Sequence, residues 1–176
     1  MCIRDSRYSE QTLREAAQDV AWHLVWNPGL SLRNNRAIFG VNTEQQPCHY
    51  KDNTWWLGPK EDGWATEKGE TGYYLLRMEG LFAGQTWDDQ EAEISRMGME
   101  FYRSPSRLIT NACFSIFLLT GRRPLETYYH WGPEAVSGGR LVRVGSFGCG
   151  GFFVYDWLRV GRSGRIRVCL ARKFQN

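Results

Sequence analysis

Four residue types are missing from one long segment of the chain. From Ala135 to Arg172 the sequence contains no Lys, Glu, Gln or Met, although the remainder uses all four, and the segment carries seven Arg and eight Gly. Between Gly145 and Cys169, Trp157 is the only residue that a codon ending in a pyrimidine cannot encode. An Asn codon whose two adenines are randomised yields this alphabet. The pattern indicates a stretch diversified at adenines.

The chain also lacks long apolar runs and recognisable metal-ligand spacings. The longest apolar stretch, Ala112 to Leu119, is far shorter than a membrane span requires, so no span is predicted. The four cysteines beyond Cys2 are scattered without a C-x-x-C pair, and the three histidines form no triad. The sequence therefore predicts no metal or other cofactor, leaves calcium open, and favours a reduced, buried thiol at Cys113.

A single domain is expected from the length and the aromatic content. The 176 residues include eight Trp, eight Tyr and nine Phe, which can fill one substantial core. The first six residues resemble the translated end of a sequencing adapter, so residues 1–6 are set aside and residues 7–176 are expected to form the domain. The native N-terminus and any signal peptide stay open for that reason.

Hydrophobic periodicity predicts three helices. The first spans about Glu10 to Trp26, the second runs from Thr86 or Asp88 to near Gly98, and the third opens at Ser104-Pro105 and ends at Gly121. Within the third, Phe114 to Leu119 would also suit a strand. The acidic residues at the start of the second helix are interpreted as a solvated cap and not as a cation site. From Leu30 to Gly80 the pattern predicts loops and small strands.

The C-terminal part predicts a small sheet. After an aromatic loop from Thr127 to Pro133, strands are expected at about Arg140 to Phe147, Phe152 to Val160 and Arg165 to Phe174. In the last of these, apolar residues alternate with arginines, so one face is expected in the core. Helices followed by a sheet indicate an α+β fold.

The final strands resemble a known family. The run Leu141–Phe147, a Gly-, aromatic- and Arg-rich stretch, and the run Ile166–Arg172 are similar to the C-terminal segment of C-type-lectin-fold variable proteins of diversity-generating retroelements. Those proteins are related to formylglycine-generating, sulfatase-modifying type domains, whose R-G-G-S-W and G-F-R-L-A strands resemble residues 143–147 and 167–171. The resemblance implies a C-type lectin-like fold, with helices packed on a small antiparallel sheet and much irregular loop. Residues 140–176 would be the β segment that carries the variable region. A Gly-rich hairpin with a basic exposed face is the alternative.

The resemblance implies a binding protein and not an enzyme. It would recognise a protein or glycan ligand on a cell surface, with a phage virion or a bacterial surface as the favoured location, and it could form a homo-oligomer. Trp157, Val168 and Leu170 would be scaffold. The candidate contact positions are Gly148, Cys149, Gly151, Phe152, Tyr155, Arg159, Arg162, Arg165 and Arg167.

Two other functions are the alternatives. The sulfatase-modifying relatives are oxidases that use a cysteine pair and a G-N-V-W-E-W block, but the corresponding region, Thr127 to Trp131, lacks that block. A nucleophile built from Cys149 and His130 has no support in the spacing. Arginines interleaved with aromatics are also typical of nucleic-acid surfaces, yet a net charge of +3 is low for such a protein.

Overall fold

The computed structural model describes residues 7–174, which form a mixed α/β structure with five helices and seven strands in that range. The expectation for residues 1–6 falls outside the described residues. The helices are α1 Glu10–Ala17, α2 Leu32–Phe39, α3 Asp62–Ala65, α4 Trp87–Met97 and α5 Ser106–Thr120. The strands are β1 Trp22–Asn27, β2 Gly72–Leu81, β3 Phe101–Arg103, β4 Tyr129–Ala135, β5 Arg140–Gly148, β6 Gly151–Leu158 and β7 Ile166–Arg172.

The strands form one sheet in which β7 is the central connection. Their order is β1-β2-β7-β4-β5-β6, and β3 also pairs with β7. The β4–β7 pairing is parallel, whereas the other pairs of named strands are antiparallel. The last strand of the chain therefore joins β1, β2 and β3 to β4, β5 and β6.

The main core lies between α5 and the β5–β6 hairpin. Phe114 of α5 stacks on Phe147 with 5.4 Å between ring centroids, and it meets Phe152 edge-on at 5.6 Å. Ile109 and Ala112 of the same helix are buried in this cluster. The inner side of the hairpin is thereby packed against a fifteen-residue helix.

The predicted helix from Glu10 to Trp26 is wrong in its second half. The Ser9 side chain caps α1, but the helix ends at Ala17, and Trp22–Asn27 forms β1. This strand pairs with β2 along its whole length. Its aromatic and β-branched residues suit a strand once a partner is present, and that tertiary pairing outweighs the local helical spacing.

Two further expectations are corrected, and those for helices α4 and α5 and for the last three strands are confirmed. Leu30 to Gly80 contains a helix, α2, and a ten-residue strand, β2, besides its loops. The expected aromatic loop from Thr127 to Pro133 instead contributes β4. Helices α4 and α5 and the last three strands lie where the sequence predicts them, within a few residues at their ends. No helix among residues 7–174 is long and apolar enough to cross a bilayer.

Candidate binding surface

The β5–β6 hairpin has one core face and one outer face. Phe152 and Val154 of β6 are fully buried, whereas the alternate residues Phe153, Tyr155 and Trp157 are half-buried. This division follows from the period of two along a strand, because successive side chains point to opposite sides of the sheet. The outer face therefore presents three aromatic rings from a single strand.

These rings belong to a larger aromatic–arginine surface. Its members are Tyr50, Tyr129, Arg143, Phe153, Tyr155, Trp157 and Arg165. Tyr50 stacks on Phe153 with 4.2 Å between centroids, and Phe153 is nearly parallel to Tyr155 at 5.6 Å. The rings pack against one another, so the surface is held in a defined shape before any ligand arrives.

Arg143 lies at the centre of the aromatic–arginine surface. Its Cζ atom is 4.3 Å from the Tyr129 ring centroid, 4.7 Å from that of Trp157 and 5.5 Å from that of Tyr155. These distances are within cation–π range. Burial lowers the pKa of Arg143 because the charged guanidinium loses water. Its Nε atom is buried without a hydrogen-bond partner.

Arg165 approaches the same tyrosine from the turn that precedes β7. Its Cζ atom is 5.8 Å from the Tyr129 ring centroid, and its Nε donates to the Thr127 carbonyl at 3.1 Å. The positive charge of Arg165 also lowers the pKa of Arg143. Two guanidinium groups therefore share one aromatic ring.

Tyr155 and Arg165 are the predicted contact positions that lie on the aromatic–arginine surface. Arg167 lies elsewhere, with its Cζ atom 4.7 Å from the Tyr128 ring centroid and its stem beside Gly80. The nine predicted positions thus do not form a single patch.

Arg159 and Arg162 hold the β6–β7 loop to α4. Arg159 is bidentate to Asp88, and Arg162 donates to Asp89 at 2.9 Å. Arg159 also lies 4.7 Å from the ring centroid of Trp87. Both arginines are exposed, but their guanidinium groups are engaged within the protein and anchor the loop to the first turn of the helix.

The remaining predicted positions surround the β5–β6 turn. Cys149 is exposed and Gly148 is half-buried with open space around its Cα. Gly151 has a φ of +112°, and a Cβ there would come within 2.6 Å of the His49 backbone, so only glycine fits. Phe152 is fully buried and packs in the core. Gly151 and Phe152 are therefore closed to a ligand in this structure.

Sequence reasoning missed most of the aromatic–arginine surface. Phe153 lies inside the run Gly145 to Cys169 with its restricted codons, and a two-residue step from Tyr155 would have found it. Arg143 lies just before that run, within the segment Ala135 to Arg172. Tyr50 and Tyr129 come from a distant loop and from a strand that was expected to be a loop, so no local signal marked them. Trp157 was assigned to the scaffold, and it does pack against the cluster of Trp131, Leu141 and Ile166.

The thiols and imidazoles of the core are not arranged for chemistry at this surface. Cys113 is a free, buried thiol, which confirms the sequence prediction, and burial raises the pKa values of Cys113 and Cys169. Burial lowers the pKa of His49 and of His130 to about 3. Within residues 7–174, no three His, Cys, Asp or Glu side chains are grouped so that they could hold a metal ion.

Comparison of the chain with protein-family models, with curated proteins and with solved structures finds no match. The inference of function therefore depends on the sequence pattern and on the geometry of the aromatic–arginine surface.

Proposed function

We propose that this chain is a ligand-binding protein of C-type lectin-like fold whose β5–β6 hairpin displays diversified side chains. One observation carries the proposal. The outward-facing residues Phe153 and Tyr155 come from the run Gly145 to Cys169, whose codons can all end in a pyrimidine except that of Trp157, and they lie beside Arg143 on the aromatic–arginine surface. Residues that vary would then lie where a ligand can reach them.

The hairpin meets the physical requirement for such variation. Its inner residues Phe147, Phe152 and Val154 are fully buried against α5 and fix the backbone independently of the outer side chains. A scaffold of this kind tolerates changes on its exposed face, because they remove little core packing.

The architecture agrees with the proposed fold. Helices pack on mainly antiparallel strands, and residues 40–71 contain only α3 and two short 3-10 turns among irregular backbone. A small sheet with much irregular loop is what the resemblance implies. The C-type lectin-like assignment remains part of the proposal.

Binding is proposed in preference to catalysis. Cys113 and Cys169 are buried with raised pKa values, whereas a reactive cysteine needs an accessible thiolate. Tyr, Trp and Arg, which dominate this surface, are the residues most enriched at binding hot spots. We place the ligand, a protein or glycan, on a cell surface, and the chain on a phage virion or bacterial surface, where several linked copies would strengthen binding.

The test is the DNA of the source locus. We expect a near-copy of the segment that encodes Gly145 to Cys169, with adenines at the differing positions, beside a reverse transcriptase gene. The differences should fall on the codons of outward residues such as Phe153 and Tyr155. The codons of the buried Phe152 and of Gly151 should match the copy, and they serve as the internal control. A locus without a second copy would remove the proposal.

A further inference from the structure

The seven arginines of the segment from Ala135 to Arg172 fall into two groups. Four of them form ion pairs with carboxylates, namely Arg140 with Asp156, Arg159 with Asp88, Arg162 with Asp89 and Arg172 with Glu15. Arg143, Arg165 and Arg167 have no carboxylate within 4 Å in the described part of the chain. Two of these three, Arg143 and Arg165, lie on the aromatic–arginine surface.

Arg143 and Arg165 both contact the Tyr129 ring, and neither has a carboxylate within 4 Å in the described part of the chain. Both are within 6 Å of the Tyr129 ring centroid, and their charges repel. Asp156 attracts Arg143 only at longer range. The Oδ1 atom of Asp156 forms an ion pair with Arg140 at 3.1 Å. A partly buried cation is costly unless it is paired. An anionic group from outside would relieve this cost.

The surroundings suit a carboxylate in particular. Guanidinium groups bind carboxylates through two parallel N–H donors, and such charge-assisted bonds are among the strongest in proteins. The rings of Tyr129 and Tyr155 border Arg143, with their centroids 4.3 and 5.5 Å from its Cζ atom.

We propose that the partner is a protein that presents an Asp or Glu side chain to Arg143 and Arg165 on the aromatic–arginine surface. This inference rests on the proposed binding function and names the chemistry of its ligand. The paired arginines keep their internal partners. Arg143 and Arg165 are the two arginines of this surface that have no carboxylate partner in the described part of the chain.

A protein is favoured over a polyanion by the make-up of the surface. Rigid Tyr and Trp side chains give a large contact area with little loss of conformational entropy, as in antibody paratopes. Binding to a phosphate polymer depends on many cations at once, but this surface contributes two, and the whole chain has a net charge of only +3.

The experiment measures binding of a random copolymer of glutamate and tyrosine, which supplies carboxylates beside aromatic side chains. Polygalacturonate and single-stranded oligothymidylate are the comparison probes, and affinity is measured by biolayer interferometry near physiological ionic strength. We expect the copolymer to bind most tightly. Arg143→Gln should weaken that binding about thirtyfold, the range of a hot-spot residue, and Arg165→Gln should weaken it several-fold.

Arg14→Gln is the matched control because it removes the same charge from the exposed face of α1, where Arg14 pairs with Glu10. It should change the affinity less than about twofold. Circular dichroism of each variant checks that it folds. If Arg143→Gln does not fold, the exposed Arg165→Gln decides the test.

Three results would overturn the inference. They are no binding of the copolymer, equal losses in Arg14→Gln and in the two surface variants, or tighter binding of polygalacturonate or oligothymidylate than of the copolymer. None of them bears on the proposed function, which the source locus tests separately. A diversified locus together with a negative binding result would contradict only the inference of an acidic partner and would leave the proposed function in place.

Discussion

His130 is a buried residue whose neutral form is fixed by its contacts. It is fully buried in β4, where Nδ1 accepts the Cys169 N–H at 3.0 Å and Nε2 donates to the Ser104 carbonyl at 2.7 Å. A proton on Nδ1 would break the first of these bonds. His49 is equally buried and its Nε2 bonds to Asn35 Oδ1 at 2.8 Å. The two imidazoles therefore contribute to stability only while they are neutral.

Acidification should destabilise the protein through these histidines. Burial lowers the pKa of His49 and of His130 from 6.5 to about 3. Below pH 6.5 the two histidines of the unfolded chain bind protons, whereas in the folded chain they stay neutral. The free energy of unfolding therefore falls as the pH drops. Between pH 7 and pH 5 the free energy of unfolding should fall by about 2 kcal/mol for each histidine. Urea denaturation at the two pH values measures this, and an unchanged midpoint would contradict it.

Protonation of Glu134 has the opposite effect on stability, so a variant at this position provides the control. Burial raises its pKa, so the folded state holds a proton more readily than the unfolded state, and acidification favours folding at this site. Its oxygens accept from the Ser106 N–H and hydroxyl, contacts that a glutamine oxygen can partly keep. In Glu134→Gln the loss of stability on acidification should therefore be larger than in the parent chain.

The β5–β6 hairpin shows how one element serves two purposes. Phe152 faces the core between Phe114 and Phe147, and Tyr155, three residues later, faces outward beside Arg143. The alternation of strands could be predicted from the sequence. The choice of face could not, because the hairpin is aromatic on both sides and only the packing of α5 identifies the inner one.

Substitutions on the two faces of β6 should have very different effects. Phe152→Ala should lower the free energy of unfolding by about 3–5 kcal/mol, because it opens a cavity in the core. Tyr155→Ala, its matched control on the outer face, should cost less than about 1 kcal/mol. Urea denaturation of both variants measures the difference. Similar losses in the two would show that the outer face is not free to vary.

In the helix predicted from Glu10 to Trp26, the local sequence pattern indicated the wrong structure for the second half. Leu24 lies on the helical spacing of Leu13 and Val20, yet it belongs to β1 and pairs with Leu75. Period 3.6 and period 2 overlap over so short a stretch. The ten-residue strand β2 supplied a partner that the local sequence could not reveal.

At the scale of the whole molecule, β7 holds the two halves together. It pairs with β2, β3 and β4, and Ile166, Val168 and Leu170 are fully buried. Because the last strand completes the sheet, much of the core forms only when the C-terminal residues have joined it.

A chain truncated after Arg162 should therefore fail to fold. It keeps every other helix and strand but exposes the edges of β2, β3 and β4 that pair with β7, and the apolar residues beneath them. We expect loss of the cooperative urea transition and of near-UV circular dichroism, against the full chain as control. A truncated chain with a native-like transition would show that the β4–β6 half is stable without β7.

The sequence by itself determined the mixed helix and sheet composition, helices α4 and α5, the final three strands and the unusual alphabet of the segment after Ala135. These features follow from short-range caps, breakers and alternation. Only the tertiary structure decided that Trp22–Asn27 is a strand and that Arg159 and Arg162 are tied to α4. It also brought Tyr129 to Arg143 and Tyr50 to Phe153, since contacts between distant segments depend on how the whole chain packs and leave no local pattern.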